Sequence, residues 1–305
     1  MQRFIIIRFG QAIIALVAVS VIVFGLARIT GSPLDTLVSF EASAEDREII
    51  AAYWGLDKSL PEQYFTFVSN AVRGDFGNSF RWRTPVMELV IDRFPNTIQL
   101  ALLSIAVATV IAVPMGVLSA VKKGSVFDIV GKTIALLGQS APPFWLGLLL
   151  MWIFAVKLGL VQTSGKGGIT SFILPATALG LFWVAAMMRL IRSAMLDVLD
   201  SEYVKLARIK GLSEWKVIWK HVLRNAAIAP LTYFGIILGS LLLGSVSIET
   251  VFAWPGVGFL VFEAVFTRDY PLVQAIVLMF SVIFILVNLL VDILYAYLDP
   301  RIRYQ

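Results

Sequence analysis

The sequence predicts an all-α protein that crosses a membrane six times. Hydrophobic residues make up 59% of the 305 residues and charged residues only 15%. Soluble domains average about 45–50% apolar and about 25% charged residues. Because a folded soluble chain must still cover its surface with polar groups, this composition disfavours a soluble enzyme, a disordered chain and a repeat solenoid.

Six apolar runs come close to or exceed the roughly 20 residues that a membrane-spanning helix needs. None shows the wide polar stripe of a soluble amphipathic helix. The first run is too long for the apolar region of a signal peptide and ends without a small-residue cleavage site, so we interpret it as a retained span. The runs cover residues 9–29, 98–121, 134–158, 173–191, 231–248 and 273–298.

The distribution of basic residues predicts that both termini are cytoplasmic. Short cytoplasmic loops are enriched in Lys and Arg. With the N-terminus inside, the inner side holds fifteen basic residues, including Arg301 and Arg303, whereas the two short outer loops hold three. The net charge of +5 therefore reflects topology, and nucleic-acid binding is not expected.

The long loop after the first span is predicted to form a small cap on the outer side. It begins at Gly31 and ends near Asn96. Counted together with Arg28 at the end of the first span, the stretch up to Arg93 holds seven basic residues against ten acidic ones from Asp35 to Asp92. Residues 44–53 and 63–72 have helical character, separated by a stretch with glycine and proline.

The second large loop, residues 192–227, is predicted to be cytoplasmic and to form a helix, a glycine break and a second helix. Gly211-Leu212 divides it, and Ser213 is a plausible N-cap of the second helix. Trp215 and Trp219 share one face of that helix, which suits either an interface anchor or a docking surface.

Helix breakers and small residues indicate a packed bundle that rearranges. Pro114 is expected to break the second span and Pro142-Pro143 the third, and the glycines from Gly235 to Gly244 are expected to allow close helix approach. After the fifth span, Trp254-Pro255-Gly256 predicts a tight turn before a short apolar helix, residues 259–266, that cannot span the bilayer.

The chemistry of this chain is not that of an enzyme. The sequence has no cysteine and one histidine, His221, and it lacks a nucleotide-binding P-loop. Ionisable residues within the spans are few and lie near the ends. Two rival functions stay open on these grounds. An ion-coupled secondary transporter is disfavoured by the sparse intramembrane carboxylates, and a membrane-embedded enzyme by the badly placed histidine.

Segments along nearly the whole chain resemble the permease subunits of the dipeptide/oligopeptide/nickel group of bacterial ABC importers. These segments, in order, are LDKSLPEQY (56–64), RGDFGNS (73–79), RFPNT (93–97), EYVKLARIKGLS (202–213), HVLRNA (221–226), ETVF (249–252), PGVG (255–258), RDYP (268–271) and LDPRIR (298–303).

One cytoplasmic motif departs from the general importer-permease pattern Glu-Ala-Ala-x-x-x-Gly. Aligned on Gly211, this chain keeps the second alanine as Ala207 but has Lys205 in place of the glutamate. In the family this loop is the coupling helix, which sits in a groove of the ATPase. The resemblance therefore assigns ATPase coupling to Tyr203, Val204, Leu206, Ala207, Lys210, Gly211, Leu212 and Ser213.

The resemblance implies a type I ABC importer permease-like bundle in the bacterial inner membrane. Its expected partners are a second homologous permease, two ATPases and an extracytoplasmic solute-binding protein. This chain is expected to bind no cofactor or metal, since ATP and Mg²⁺ would be held by the ATPases. The solute is left open among dipeptides, longer peptides, nickel chelates, glutathione and sugar oligomers.

We expect three regions in the chain. Residues 1–30 hold the N-terminal tail and first span, residues 31–97 the cap, and residues 98–305 a five-helix core that includes the coupling loop, residues 193–227. Candidates for the pathway or its gate lie at kinks and turns: Gln139, Ser140, Pro143, Glu249, Trp254 and Gly256.

Overall fold

The computed structural model describes residues 2–29, Leu34, Val38 and 43–298. Regular structure in these residues is helical apart from one antiparallel bridge between Asn78 and Pro85. The predicted start of the cap at Gly31, its acidic Asp35, and the C-terminal motif with Arg301 and Arg303 lie outside the described residues.

Thirteen α-helices are described, with three short π- or 3₁₀-helical turns between them. The turns are Met151–Lys157 (π), Ile169–Phe172 (3₁₀) and Val217–Val222 (π). The α-helices are α1 (Gln2–Ile29), α2 (Ala44–Tyr53), α3 (Leu60–Val72), α4 (Val86–Val121), α5 (Val126–Ser140), α6 (Pro143–Leu150), α7 (Ile173–Leu199), α8 (Glu202–Ile209), α9 (Glu214–Lys216), α10 (Leu223–Ala226), α11 (Ile228–Val251), α12 (Val257–Phe266) and α13 (Tyr270–Leu298).

The predicted all-α membrane fold is confirmed. Among the described residues, four helical segments are long and apolar enough to cross a membrane: Ile6–Ile29, Val86–Val121, Ile169–Leu199 and Tyr270–Val291. Two bent helix pairs raise this number to six if each pair is one span. The bends are 104° between Val126–Ser140 and Pro143–Lys157 and 47° between Tyr233–Leu241 and Gly244–Val251. The helix over residues 257–266 is too short to span, as predicted.

The second span differs from its prediction. Helix α4 begins at Val86, well before the predicted Ile98, and it continues without a break through both Pro95 and Pro114. The expectation that Pro114 breaks this helix was wrong. Proline is tolerated in membrane helices because neighbouring groups satisfy the backbone carbonyl that it leaves unbonded.

The third span breaks where the sequence predicts. Ala141 and Pro142 have extended backbone conformations, and α6 starts at Pro143. A residue before a proline is sterically disfavoured in the α conformation, so two consecutive prolines force the chain out of the helix. The outcome is the 104° bend between the two halves.

The chain divides into two compact units, and the first comprises residues 1–97 and 255–289. Within it, α3 packs against α1, where the hydroxyls of Ser20 and Tyr64 lie 2.8 Å apart. At the start of α3, the backbone N and Oγ of Ser59 donate to the Glu62 carboxylate, and these hydrogen bonds lower the pKa of that carboxyl.

The second unit comprises residues 98–254 and 290–305. Helix α7 is its centre and packs against α5, α6 and α11. Gly180 of α7 approaches α4 so closely that a Cβ atom would lie 2.6 Å from the carbonyl oxygen of Ser104. A side chain at Gly235 would likewise collide with Val291, whereas Gly244 faces open space. The predicted close helix contact is therefore made within the chain at Gly235 but not at Gly244.

Candidate functional site

The predicted coupling segment has the expected helix–glycine–helix form. Helix α8 ends at Ile209, Gly211 has a φ of +77°, and the next helix begins at Glu214. The amide of Gly211 donates to the carbonyl of Arg208 at 2.9 Å. This left-handed glycine therefore lies in the turn that ends α8, a backbone conformation that a residue with a side chain adopts at a steric cost.

Two of the predicted coupling residues are buried inside this chain. Val204 is fully buried and Ala207 nearly so, and α8 contacts the π-helical turn that contains the buried Val217. Their side chains hold α8 in place and are not available to a partner.

Large apolar side chains are exposed on α8 and just after it. Ile209 is 83% exposed and Leu206 is 53% exposed. Residues three apart on a helix are neighbours on its surface. We call these side chains the exposed row: Tyr203, Leu206 and Ile209 on α8, and Leu212 after the Gly211 turn. The sequence prediction omits Ile209, although its spacing from Leu206 is the signal that places it in this row.

Polar groups flank the apolar row. Lys210 and Ser213 are exposed, and an ion pair of 2.8 Å between Arg208 and Glu214 bridges the turn. Ser213 occupies the predicted N-cap position, but its hydroxyl forms no capping bond. Trp215 is 70% exposed and its ring lies 5.1 Å from that of Trp219.

A buried carboxylate, which sequence reasoning missed, lies in the same unit. Asp128, at the start of α5, is 1% exposed and accepts bonds from Lys132 at 2.7 Å and from Arg192 at 3.1 Å. The hydroxyl of Ser119 and the amide of Gly124 also donate to it. The cluster therefore fastens the α4–α5 turn to α7. The only sequence signal is the pairing of Asp128 with Lys132 four residues later.

Three predicted pathway residues lie at the bend between α5 and α6. An apolar cavity of about 740 Å³ opens there, and Ser140 lines it. Gln139 accepts a 2.6 Å hydrogen bond from the guanidinium of Arg189 on α7. Pro143 begins α6. The structure thus brings Gln139, Ser140 and Pro143 together in the second unit.

Two other predicted pathway residues, Glu249 and Trp254, are fully buried at the end of α11. Trp254 packs edge-on against Phe172, with ring centroids 4.6 Å apart, and the amide of Gly165 donates to the carbonyl of Phe252. The carbonyl of Glu249 accepts a 2.8 Å bond from the amide of Trp254. These contacts make Trp254 an anchor for the loop that precedes α7.

The turn predicted at Trp254-Pro255-Gly256 is present, but it begins earlier, at Phe252. Gly256 is extended, with φ −103° and ψ −177°, and serves as the N-cap of α12. The residue with a left-handed backbone is Ala253, with φ +44°. Beyond the turn, Thr97 accepts a hydrogen bond of 2.8 Å from the amide of Val257. The turn therefore runs from Phe252 to a bend at Gly256, which is buried where α12 starts.

Comparison with known families gives two matches that together cover nearly the whole chain. Residues 112–304 match the binding-protein-dependent transport system inner membrane component family. Residues 1–101 match the N-terminal region of binding-protein-dependent transport system membrane components.

Curated relatives match from end to end. The glutathione transport system permease protein GsiC of Escherichia coli strain K12 is 41% identical over 306 residues, which cover 100% of both chains. The protein of the same name from Pectobacterium atrosepticum is 42% identical over the same coverage.

Solved structures share the fold at low sequence identity. An inward-facing structure of the MetNI methionine ABC transporter aligns with a TM-score of 0.56 at 18% identity, over 70% of this chain and 97% of that one. A crystal structure of an amino acid ABC transporter with histidines gives a TM-score of 0.53 at 18% identity, over 69% and 94% of the two chains.

Proposed function

This chain belongs to the binding-protein-dependent transport system inner membrane component family, the permease subunits of ATP-driven importers, and we propose that it imports small peptides, with glutathione as the first candidate. The identity of 41% or more to glutathione permeases, over the full length of both chains, supports this solute class. Family membership also disfavours the ion-coupled alternative, because an importer of this kind takes its energy from ATP.

The observation that carries the coupling proposal is the exposed row Tyr203, Leu206, Ile209 and Leu212. A row of exposed apolar side chains on a short helix is typical of a docking surface. In this proposal the row enters a groove of an ATPase subunit, and ATP and Mg²⁺ are bound by that partner. Lys210, Gly211 and Ser213 form the turn that meets the edge of the groove.

Motion of the segment would reach the membrane helices through α7. Helix α8 follows α7 after a two-residue turn, and Arg192 of α7 is bonded to Asp128 of α5. A displacement of the segment on ATP binding would therefore move α5 and α7 together. In the proposed transport cycle this motion changes which side of the pathway is open, with Gln139 and Ser140 at the moving bend.

The assembly that we propose contains this chain, a second homologous permease, two ATPases and a solute-binding protein in a bacterial inner membrane. The excess of basic residues in the short loops on one side supports cytoplasmic termini and an outer cap. Because the chain has no cysteine, single cysteines report this topology directly. In intact spheroplasts an impermeant maleimide should label Glu45→Cys but not Lys205→Cys, and the reverse pattern would overturn the orientation.

The solute is tested with the complete importer in proteoliposomes. We expect ATP-dependent uptake of radiolabelled glutathione when the binding protein is present, and uptake that resists a proton and sodium ionophore. Omission of ATP is the control. Uptake that collapses with the ionophore would contradict ATP coupling. ATP-dependent uptake of a nickel chelate without competition by peptides would contradict the peptide assignment.

A further inference from the structure

The first unit contains a pocket of about 250 Å³ that no part of the proposed transport cycle uses. Its walls come from α1, α3, the loops that flank α3, and the start of α13. The aromatic part of the lining consists of Phe24, Trp54, Phe67, Phe76, Phe80 and Tyr270. The polar part includes Arg28, Lys58, Gln63, Asn70, Asp75 and Gln274.

Arg28 is the main positive group of this pocket. Its Nε and Nη2 both donate to the same acceptor, Oε1 of Gln63, at 3.1 and 2.8 Å. The guanidinium carbon also lies 4.7 Å from the ring centre of Phe24. No carboxylate forms an ion pair with Arg28 among the described residues. A guanidinium has five donors in a fork that fits a carboxylate, so Arg28 keeps donors for an anion.

The position of Gln63 is fixed by the chain itself. Its Nε2 donates to the carbonyls of Leu56 and Lys58 at 3.1 and 2.8 Å. The amide therefore turns its oxygen to Arg28 and holds the guanidinium at the pocket. This arrangement orients Arg28 but does not neutralise its charge.

A second donor in the lining is unsatisfied. Gln274 on α13 is only 8% exposed, and its Nε2 has no hydrogen-bond partner in the part of the chain that the structure describes. A buried amide group without a partner costs free energy unless a ligand or water supplies an acceptor. An anion with two oxygens would provide acceptors for both Arg28 and Gln274.

We propose that this pocket is a subsite for the terminal carboxylate of a small peptide. The guanidinium of Arg28 would bind the carboxylate, and Gln274 would donate to it. The aromatic walls would cover the adjoining side chain. The volume of about 250 Å³ suits one or two residues rather than a protein segment. The identity of the ligand rests on the proposed peptide function, whereas the carboxylate site rests on the geometry alone.

The experiment uses the purified complete importer in nanodiscs and a single cysteine in the otherwise cysteine-free chain. Thr66 is exposed and lines the pocket, so Thr66→Cys should react with a maleimide. Triglycine should slow this reaction and triglycine amide, which lacks the carboxylate, should not. Asn78→Cys, exposed but outside the lining, is the control cysteine and should react at the same rate with either peptide.

Substitution of the arginine then separates binding from folding. Arg28→Gln in the Thr66→Cys background should raise the triglycine concentration for half-protection roughly tenfold or more, as expected for the loss of a charge-assisted bond. Arg73→Gln, which removes an exposed arginine of the same unit that does not line the pocket, should leave protection unchanged. Equal protection by the peptide and its amide, or unchanged protection in Arg28→Gln, would overturn the proposal.

Two further protection measurements, with acetate and with ligand-free binding protein, identify the source of the carboxylate. If acetate protects as well as triglycine, the site binds carboxylates but does not recognise a peptide, and the peptide part of the proposal fails. If ligand-free binding protein protects and triglycine does not, a protein carboxylate occupies the pocket and the peptide subsite proposed here is wrong. Failure of glutathione uptake together with protection by triglycine would overturn the proposed solute but not this site.

Discussion

Two regions of the second unit carry predicted functional residues, and they differ in what they do with their apolar side chains. In the segment around Gly211 the side chains of Leu206 and Ile209 are exposed to solvent, whereas Trp254 at the end of α11 is completely buried. Residues that the chain itself buries stabilise its own fold. Residues that it leaves exposed are free to contact something else. The difference separates an anchor from a proposed docking surface, although residues of both regions were predicted as functional.

The largest effect should come from removing the anchor. Trp254→Ala would leave a cavity beside Phe172 and should destabilise the protein by about 3–5 kcal/mol, as is typical of large buried aromatic residues. Thermal unfolding of the detergent-solubilised chain measures this loss of stability. Trp215→Ala, at a 70% exposed tryptophan, is the matched control and should change stability by less than about 0.5 kcal/mol. Equal effects of the two substitutions would contradict the distinction between anchor and surface.

Sequence reasoning located the helices well because their signals are local. Apolar runs predict the spans. The second helix of the cap was predicted to start at residue 63 but starts at Leu60, because Ser59 is its N-cap. The continuation of α4 through Pro114 could not be predicted in this way. The intrinsic cost of proline is a local property, but the packing that tolerates it involves residues far away in sequence.

The candidate site was predicted unevenly for a similar reason. The left-handed backbone at Gly211 follows from residue type, whereas burial depends on tertiary contacts that a single sequence does not display. Val204 and Leu206 are both apolar and two positions apart, yet only Val204 is buried. The Asp128 cluster joins residues of three separate segments, so no short sequence motif predicts it.

The second prediction concerns this cluster. Asp128→Asn would keep the size of the side chain but leave Lys132 and Arg192 without their carboxylate. Because both cations are partly exposed, water would compensate in part, and we expect a loss of about 1–3 kcal/mol. Thermal unfolding measures this loss. Glu202→Gln, which breaks the exposed pair with Lys205, is the control and should have almost no effect. A stability of Asp128→Asn equal to that of the control would remove the cluster as a structural link.

The third prediction separates backbone strain from docking at Gly211. A side chain here meets no atom of this chain within 4 Å, so the local cost comes from the positive φ. Gly211→Val should cost about 1–2 kcal/mol because a β-branched residue strongly resists this conformation. Asparagine tolerates it, so Gly211→Asn should be nearly as stable as the natural chain. Thermal unfolding of the two variants measures this difference.

The same pair of variants then reports the partner contact. If Gly211 lies against an ATPase groove, both substitutions should weaken co-purification of the ATPases, since either side chain occupies the contact. If only Gly211→Val weakens co-purification, the left-handed backbone, and not a close contact with the ATPase, explains why this position is a glycine. Wild-type co-purification and wild-type stimulation of ATP hydrolysis in both variants would exclude a coupling role for this position.

The smallest effect on the chain, and the most specific effect on the assembly, is expected at Ile209. This side chain is 83% exposed, so Ile209→Ser should leave the unfolding temperature of the isolated chain unchanged. Burial of an isoleucine in an interface stabilises it by about 1.5–3 kcal/mol, so its loss should weaken ATPase binding roughly tenfold or more. Ile169→Ser provides a matched control. Ile169 is 89% exposed at the start of the candidate span Ile169–Leu199, the end that is predicted to face the other side of the membrane. Titration of purified ATPase onto permease in nanodiscs measures the affinity of both variants.

Equal affinities for the two variants would show that the exposed row is not the docking surface. A loss of affinity confined to Ile209→Ser would place the row in the contact, because the control removes the same type of side chain elsewhere.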